Sequence, residues 1–326
     1  MNAHLEPEPR QGLIRLPLGS ERVTDADEEV FILYSSPPSN EQRGLGYLDS
    51  HADTLTLEFE LKAVSRPSST SKSKRKPASR PMQDKTIEVQ LSQDKTALRT
   101  RAGDTGSVVW KASIDFAQFI LQENHSKSRG FLDPEKLPHA RVLELGSGTG
   151  LLTIALSPLV NQYTATDIEE LVPLIRKNMS LNFPGWPHAH IKPGTMAPGS
   201  NVLVSKLNWQ TLHSTPVSRR AQVFPLLSPP VDIVLVVDCI YHPSLLPALL
   251  ATMDYVSAPE STAVVVLMEL RAEDVTRQFL EGWLSLGGGE WVIWRVGGEE
   301  DAMKGILAKG KPYAMWVGWK GRTERG

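Results

Sequence analysis

From Lys136 onward the chain alternates short apolar runs with amphipathic stretches, and the interiors of two runs, DIVLVVD and AVVVLMEL, are continuously apolar. A strand with one wet face alternates polar and apolar side chains, whereas a strand covered on both faces does not. These runs therefore predict parallel strands sandwiched between helices. Strands are expected at 140–145, 162–166, 202–205, 231–237 and 263–268, with helices at about 149–157, 169–180, 244–256 and 272–285. The tail adds WVIWRV and YAMWVGW with no long helix between them, an antiparallel pair suited to closing one sheet edge. The expected fold class is α/β, a doubly wound and mostly parallel sheet.

Ahead of this unit the texture is different. TLTLEFEL, residues 54–61, and TIEVQLSQ, from Thr86, alternate strictly, as half-buried strands do. Between them runs RPSSTSKSKRKPASRP, too polar to bury a core, which is expected to be a disordered hairpin tip over about 65–82. The bland reading of this tract is a solvated loop; the functional ones are a nuclear address or an RNA-touching patch. The division expected is an N-terminal extension, 1–103, carrying this hairpin, and a second domain, 104–326. Lys and Arg together number 35 against 37 acids, so no global basic excess argues for nucleic acid, and direct contact is expected at most through the basic loop. One cysteine, Cys239, excludes an internal disulfide, and no CxxC pair or His cluster suggests a metal. The start, MNAHLEPEPR, lacks a signal-peptide pattern, and no apolar run approaches the roughly 20 residues that span a bilayer. The expectation is a cytoplasmic protein with nuclear access and no membrane partner.

RVLELGSGTG places three glycines on the turn after the first strand of the repeat, where doubly wound sheets bind ligands. A dinucleotide fingerprint needs G-x-G-x-x-G, but Gly146, Gly148 and Gly150 give G-x-G-x-G, which disfavours NAD. Asp167 ends the next strand, where a carboxylate can accept both hydroxyls of an adenosine ribose; its alternative is a helix N-cap. Asn208 and Trp209 follow the third strand, and Trp110 lies just upstream of the repeat. An aromatic face can stack on a flat ring or sit near a cation.

Glu144 two residues before Gly146, with the G-x-G-x-G spacing, resembles motif I of the class I S-adenosylmethionine-dependent methyltransferases. The series GxxVW ending at Trp110, LxW ending at Trp209, D-x-x-Y from Asp238 to Tyr241, and E-x-R at Glu269 and Arg271 is similar to the seven-β-strand protein-lysine methyltransferases. The N-terminal hairpin and VVDCIYHPSLLPALL are most similar to their fungal ribosomal members. The resemblance implies a seven-stranded Rossmann-like methyltransferase sheet and S-adenosyl-L-methionine as cofactor, held by Trp110, Glu144, Gly146, Ser147, Gly148, Asp167, Asn208, Trp209 and Val237. It implies a lysine of a large-subunit (60S) ribosomal protein as methyl acceptor, held by Asp238 and Tyr241. Many relatives carry Asp where this chain has Asn208, which removes a charge from the adenine end. Asp238 has a bland alternative as the cap of the helix near Pro243. Two rival functions stay open: a nucleic-acid amine methyltransferase, whose D/N-P-P-Y motif differs from this chain at Cys239 and Ile240, and a cofactor-binding ribosome-assembly module without turnover.

Overall fold

A computed structural model describes residues 12–35, 52–63, 83–94, 105–127, 130–187, 197–297, 306–307 and 311–322. The basic tract at 65–82 lies outside them. In chain order the strands and helices are β1 (Glu21–Val23), α1 (Ala26–Tyr34), β2 (Thr54–Leu61), β3 (Lys85–Ser92), α2 (Lys111–Ser126), β4 (Arg141–Leu145), α3 (Leu151–Leu156), β5 (Gln162–Asp167), α4 (Val172–Asn182) and β6 (Val202–Lys206). They continue with α5 (Trp209–Ser214), α6 (Arg220–Val223), β7 (Ile233–Val237), α7 (Leu246–Val256), β8 (Ala263–Glu269), α8 (Glu273–Ser285), β9 (Trp291–Arg295) and β10 (Tyr313–Lys320).

The main sheet has the order β1-β9-β10-β8-β7-β4-β5-β6. Strands β4 to β8 run parallel, and β10 lies antiparallel between β8 and β9, with Trp316 opposite both Val266 and Arg295. The seven expected strands are present, and β1 adds an eighth by pairing antiparallel with β9. Three residues carry no readable alternation; pairing across 270 positions of chain defines this strand. Every residue of β7 and β8 is buried, as continuous apolar runs require. Three helices start two or three residues later than expected: α3 follows Gly150, whose backbone is left-handed, and α4 and α7 carry Pro173 and Pro247 in their first turns, where a missing N–H costs nothing. The sequence reading overlooked α1, capped by Asp25 accepting from Glu28 N–H at 2.9 Å, and α2, which begins at Trp110 with no side-chain cap. Among the described residues no helix is long and apolar enough to cross a membrane.

The hairpin β2–β3 forms its own two-stranded sheet, pairing Leu57 with Val89 and Phe59 with Ile87, and buries its apolar face in the core shared with Phe116, Ile120 and Leu121 of α2. A two-stranded sheet leaves both edges with unpaired backbone groups. Here amide side chains one helical turn apart cover each edge. On β2, Gln118 donates to Glu60 O at 2.9 Å, and Gln122 accepts from Lys62 N–H at 2.8 Å while donating to Lys62 O at 3.0 Å. On β3, Asn182 exchanges two hydrogen bonds with Gln90 and Asn178 two with Ser92. The buried Asn178 also donates to Thr149 O in the glycine turn at 2.8 Å, tying hairpin to turn.

Candidate active site

Strand order reverses around β4, and the carboxyl ends of β4, β5, β6 and β7 open there into a cavity of about 450 Å³. Its wall includes the eleven residues assigned above to cofactor and acceptor: Trp110, Glu144, Gly146, Ser147, Gly148, Asp167, Asn208, Trp209, Val237, Asp238 and Tyr241.

The glycine turn is crowded by protein on both sides. Gly146 has φ +75°, and a Cβ there would sit 2.7 Å from Cys239 Sγ and 3.3 Å from the Trp209 ring. Gly148 has φ +54°, and its Cβ would meet the Gly106 carbonyl oxygen at 2.8 Å. Both positions therefore combine a left-handed backbone with no room for a side chain. Gly106 belongs to the segment Thr105–Trp110, which lies over the turn. Asp94 N–H donates to Ser107 O at 2.9 Å and Val109 N–H to Gln93 Oε1 at 2.8 Å, so the hairpin base anchors that segment.

Asp167, at the end of β5, accepts from Gly148 N–H and from Ile168 N–H, each at 2.7 Å. It caps no helix: α4 starts after Leu171 without a side-chain cap. Ser147 Oγ accepts from Thr166 N–H at 3.1 Å, and Gly146 and Ser147 N–H both donate to Thr166 O at 3.0 Å. Beneath the turn the Glu144 carboxyl accepts from Thr153 at 2.9 Å and Tyr163 at 3.0 Å. Burial pushes its pKa up to about 7, against the opposing pull of those hydroxyls. Asn208 caps α5, accepting from Thr211 N–H at 3.0 Å. The Trp209 ring lies along Gly146, and its indole N–H is buried without a protein partner.

At the other end, Asp238 follows β7 with φ +55°, a left-handed conformation rare outside glycine, and is 8% exposed. Its carboxylate is gripped by Arg271, Nη1 to Oδ1 at 2.8 Å and Nη2 to Oδ2 at 2.7 Å, with Glu269 N–H at 3.3 Å from Oδ1. Arg271 also donates to Glu269 Oε2 at 2.8 Å, and its guanidinium carbon stands 5.2 Å from the Trp110 ring centroid. Burial raises the pKa of Glu269, with Arg271 opposing. Asp238 is not the cap near Pro243: His242 Nδ1 accepts from Ser244 N–H there at 3.3 Å. Tyr241 lies half-buried on the wall nearby. The sequence reading missed the close approach of Gly106, the wiring through Gln93 and Asn178, and the grip of Arg271 on Asp238. Gly106 and Arg271 stand in GxxVW and E-x-R, but spacing alone does not reveal what they touch.

Among the described residues no group of three or more His, Cys, Asp or Glu is placed to hold a metal. A Schizosaccharomyces pombe protein named diaminohydroxyphosphoribosylamino-pyrimidine deaminase is 31% identical over 261 residues, 79% of this chain and 51% of that protein. Protein-lysine methyltransferase METTL21E of Bos taurus is 28% identical over 169 residues, 52% of this chain and 49% of the relative. Ribosomal lysine N-methyltransferase 5 of Kluyveromyces lactis is 24% identical over 208 residues, 54% of this chain and 64% of the relative. The chain thus spans about half the length of the first two of these relatives. The pattern of the lysine methyltransferase family matches residues 90–283, more than half of the chain and the stretch that carries every wall residue named above. The chain belongs to the lysine methyltransferase family.

Proposed function

We propose that the protein transfers a methyl group from S-adenosyl-L-methionine to the side-chain amine of a lysine in a protein substrate. One observation carries this reading beyond family membership: the glycine turn with Asp167 and the Asp238–Tyr241 pair open into the same cavity, so a nucleotide end and an acceptor end share one space. The cofactor suits the residues present. A cavity of about 450 Å³ lies within the roughly 300–1,000 Å³ range of small-molecule sites. Asp167 offers a carboxylate to ribose hydroxyls, Trp209 a ring face with an unpartnered N–H beside Gly146, and Asn208 an amide at the same end. Glu144 and Ser147 act from beneath, shaping the turn, and Val237 closes the floor. Trp110 roofs the end toward Asp238.

S-adenosylmethionine, when bound, supplies a methyl carbon already activated by its sulfonium. What remains for the chain is alignment and the exclusion of water. A lysine with pKa about 10.4 is only about one part in a thousand neutral near pH 7.4, a cost of roughly 4 kcal/mol. In this reading Asp238, which lines the cavity with both carboxylate oxygens held by Arg271, accepts a hydrogen of the incoming amine and so acts as a positioning acceptor. Tyr241 walls the channel and orients the amine. For the substrate we infer a ribosomal protein, and on the hairpin and VVDCIYHPSLLPALL one of the large subunit. The Kluyveromyces lactis relative, named for ribosomal lysine methylation, supports that choice. We place the protein in the cytoplasm with access to the nucleus, on its single cysteine and its basic tract.

The test is incubation with methyl-labelled cofactor and an extract from cells lacking the protein, followed by protease or nuclease. Protease-sensitive label is expected; nuclease-sensitive label would establish the nucleic-acid alternative, and no label with any fraction would leave a binding module.

A further inference from the structure

We infer that Arg271 is a positioning residue for methyl transfer, one that sets the acceptor carboxylate of Asp238 and the Trp110 roof in a single register. The inference rests on the proposed function for its kinetic part alone.

Asp238 holds a left-handed backbone at the mouth of β7, a conformation that persists in a non-glycine residue only where its surroundings impose it. Asp238 N–H donates to Leu267 O at 2.7 Å, which ties its backbone to β8, and Arg271, two residues beyond β8, ties its side chain. The guanidinium fork matches both carboxylate oxygens at once, so it fixes rotation as well as distance. The same planar group lies over Trp110, whose indole N–H donates to Thr105 O at 2.8 Å. A shift of the roof at Thr105–Trp110 would therefore move Arg271, and with it Asp238. Glu269 completes the arrangement by accepting from Nη2 at 2.8 Å, which keeps the guanidinium from turning away. Arg271 needs no contact with either reactant for this: it acts through the carboxylate and the ring. A lysine at this position would keep the charge and lose both the fork and the stacked face.

The experiment compares wild type, Arg271→Lys and Arg271→Gln with a control, Arg277→Lys, whose guanidinium pairs with Asp27 and Glu273 on the far side of α8. Hydrogen exchange of the peptide spanning Thr105–Ile114 needs no turnover. It is expected to speed up tenfold or more in both Arg271 variants and to stay unchanged in the control. Single-turnover transfer should fall tenfold or more in Arg271→Lys, with KM for the protein substrate within about threefold. In an Asp238→Asn background the same Arg271→Lys change should cost less than about twofold, because its route to the reaction is already cut. Unchanged exchange at Thr105–Ile114, or rate losses that multiply in the double variant, would overturn the assignment. Should Arg271→Lys not fold, the Gln variant carries both arms. A wild type that transfers no methyl to protein would reject the proposed function and the kinetic role with it, while the exchange arm would still decide whether Arg271 holds the Thr105–Trp110 segment in place.

Discussion

Glu144 is the penultimate residue of β4 and Asp167 the last of its neighbour β5, yet the structure treats their carboxyls in opposite ways. Asp167 is wrapped by backbone N–H donors, while Glu144 is sealed beneath the turn among hydroxyls. Burial raises the Glu144 pKa from 4.5 to about 7. A raised folded-state pKa means that the native protein binds a proton which the unfolded chain releases. This contribution is thus full below about pH 4.5 and is lost as pH rises through about 7. At one pKa unit per about 1.4 kcal/mol, it is on the order of 3 kcal/mol. Glu144→Gln, neutral at every pH, should therefore gain stability relative to wild type between pH 5 and 8, read from paired melting curves. A constant difference across that range would show that Glu144 does not titrate there. Asp167→Ala should weaken cofactor binding by about 1.5–3 kcal/mol, since the ribose loses a charged acceptor. Loss of the Gly148 N–H partner acts in the same direction. Calorimetric affinity within twofold of wild type would refute the role. Both acids were legible in the sequence because strand ends and glycine spacing fix where they stand. The pairing of Asp238 with Arg271 was not, since a contact between two loops leaves no period.

At the scale of elements, the hairpin strands announced themselves through alternation, but nothing in their sequence says how their edges are closed. The answer lies on α2 and α4, in Gln118, Gln122, Asn178 and Asn182. Asn178→Ala would leave Ser92 N–H, Ser92 O and Thr149 O without their partner in a buried place, at about 1–3 kcal/mol for each polar group left unsatisfied. We expect a loss of about 3 kcal/mol or more, together with weaker cofactor binding, because Thr149 belongs to the glycine turn. Asn182→Ala, at an edge that water can reach, should cost about 1 kcal/mol and leave binding alone. Denaturant midpoints and calorimetry on the two variants check this; equal losses would mean that the clamp is uniform and not coupled to the turn. Helix α2 escaped the sequence reading because its cap position is Trp110, without the Ser, Thr, Asp or Asn signal that marks most starts.

For the whole molecule, the parallel sheet was readable because strands buried on both faces have an unmistakable composition, and the cavity followed from where strand order turns. The short edge strand β1 was not, because its partner β9 is set by the tertiary fold. Removing residues 66–80 is expected to leave the melting temperature and cofactor affinity unchanged, as shortening a connection costs little. A clear fall in either would give that tract a structural role. The central claim, that this cavity hands a methyl group to a lysine, is tested most directly by identifying the labelled product. Wild-type protein and Asp238→Asn are incubated with methyl-labelled cofactor and acceptor extract, and the product is hydrolysed to single amino acids and nucleosides. The account predicts N-methyl-lysine from the wild type and a yield at least about a hundredfold lower from Asp238→Asn at similar cofactor affinity. Label recovered on a nucleoside, or N-methyl-lysine formed equally well by both proteins, would contradict it.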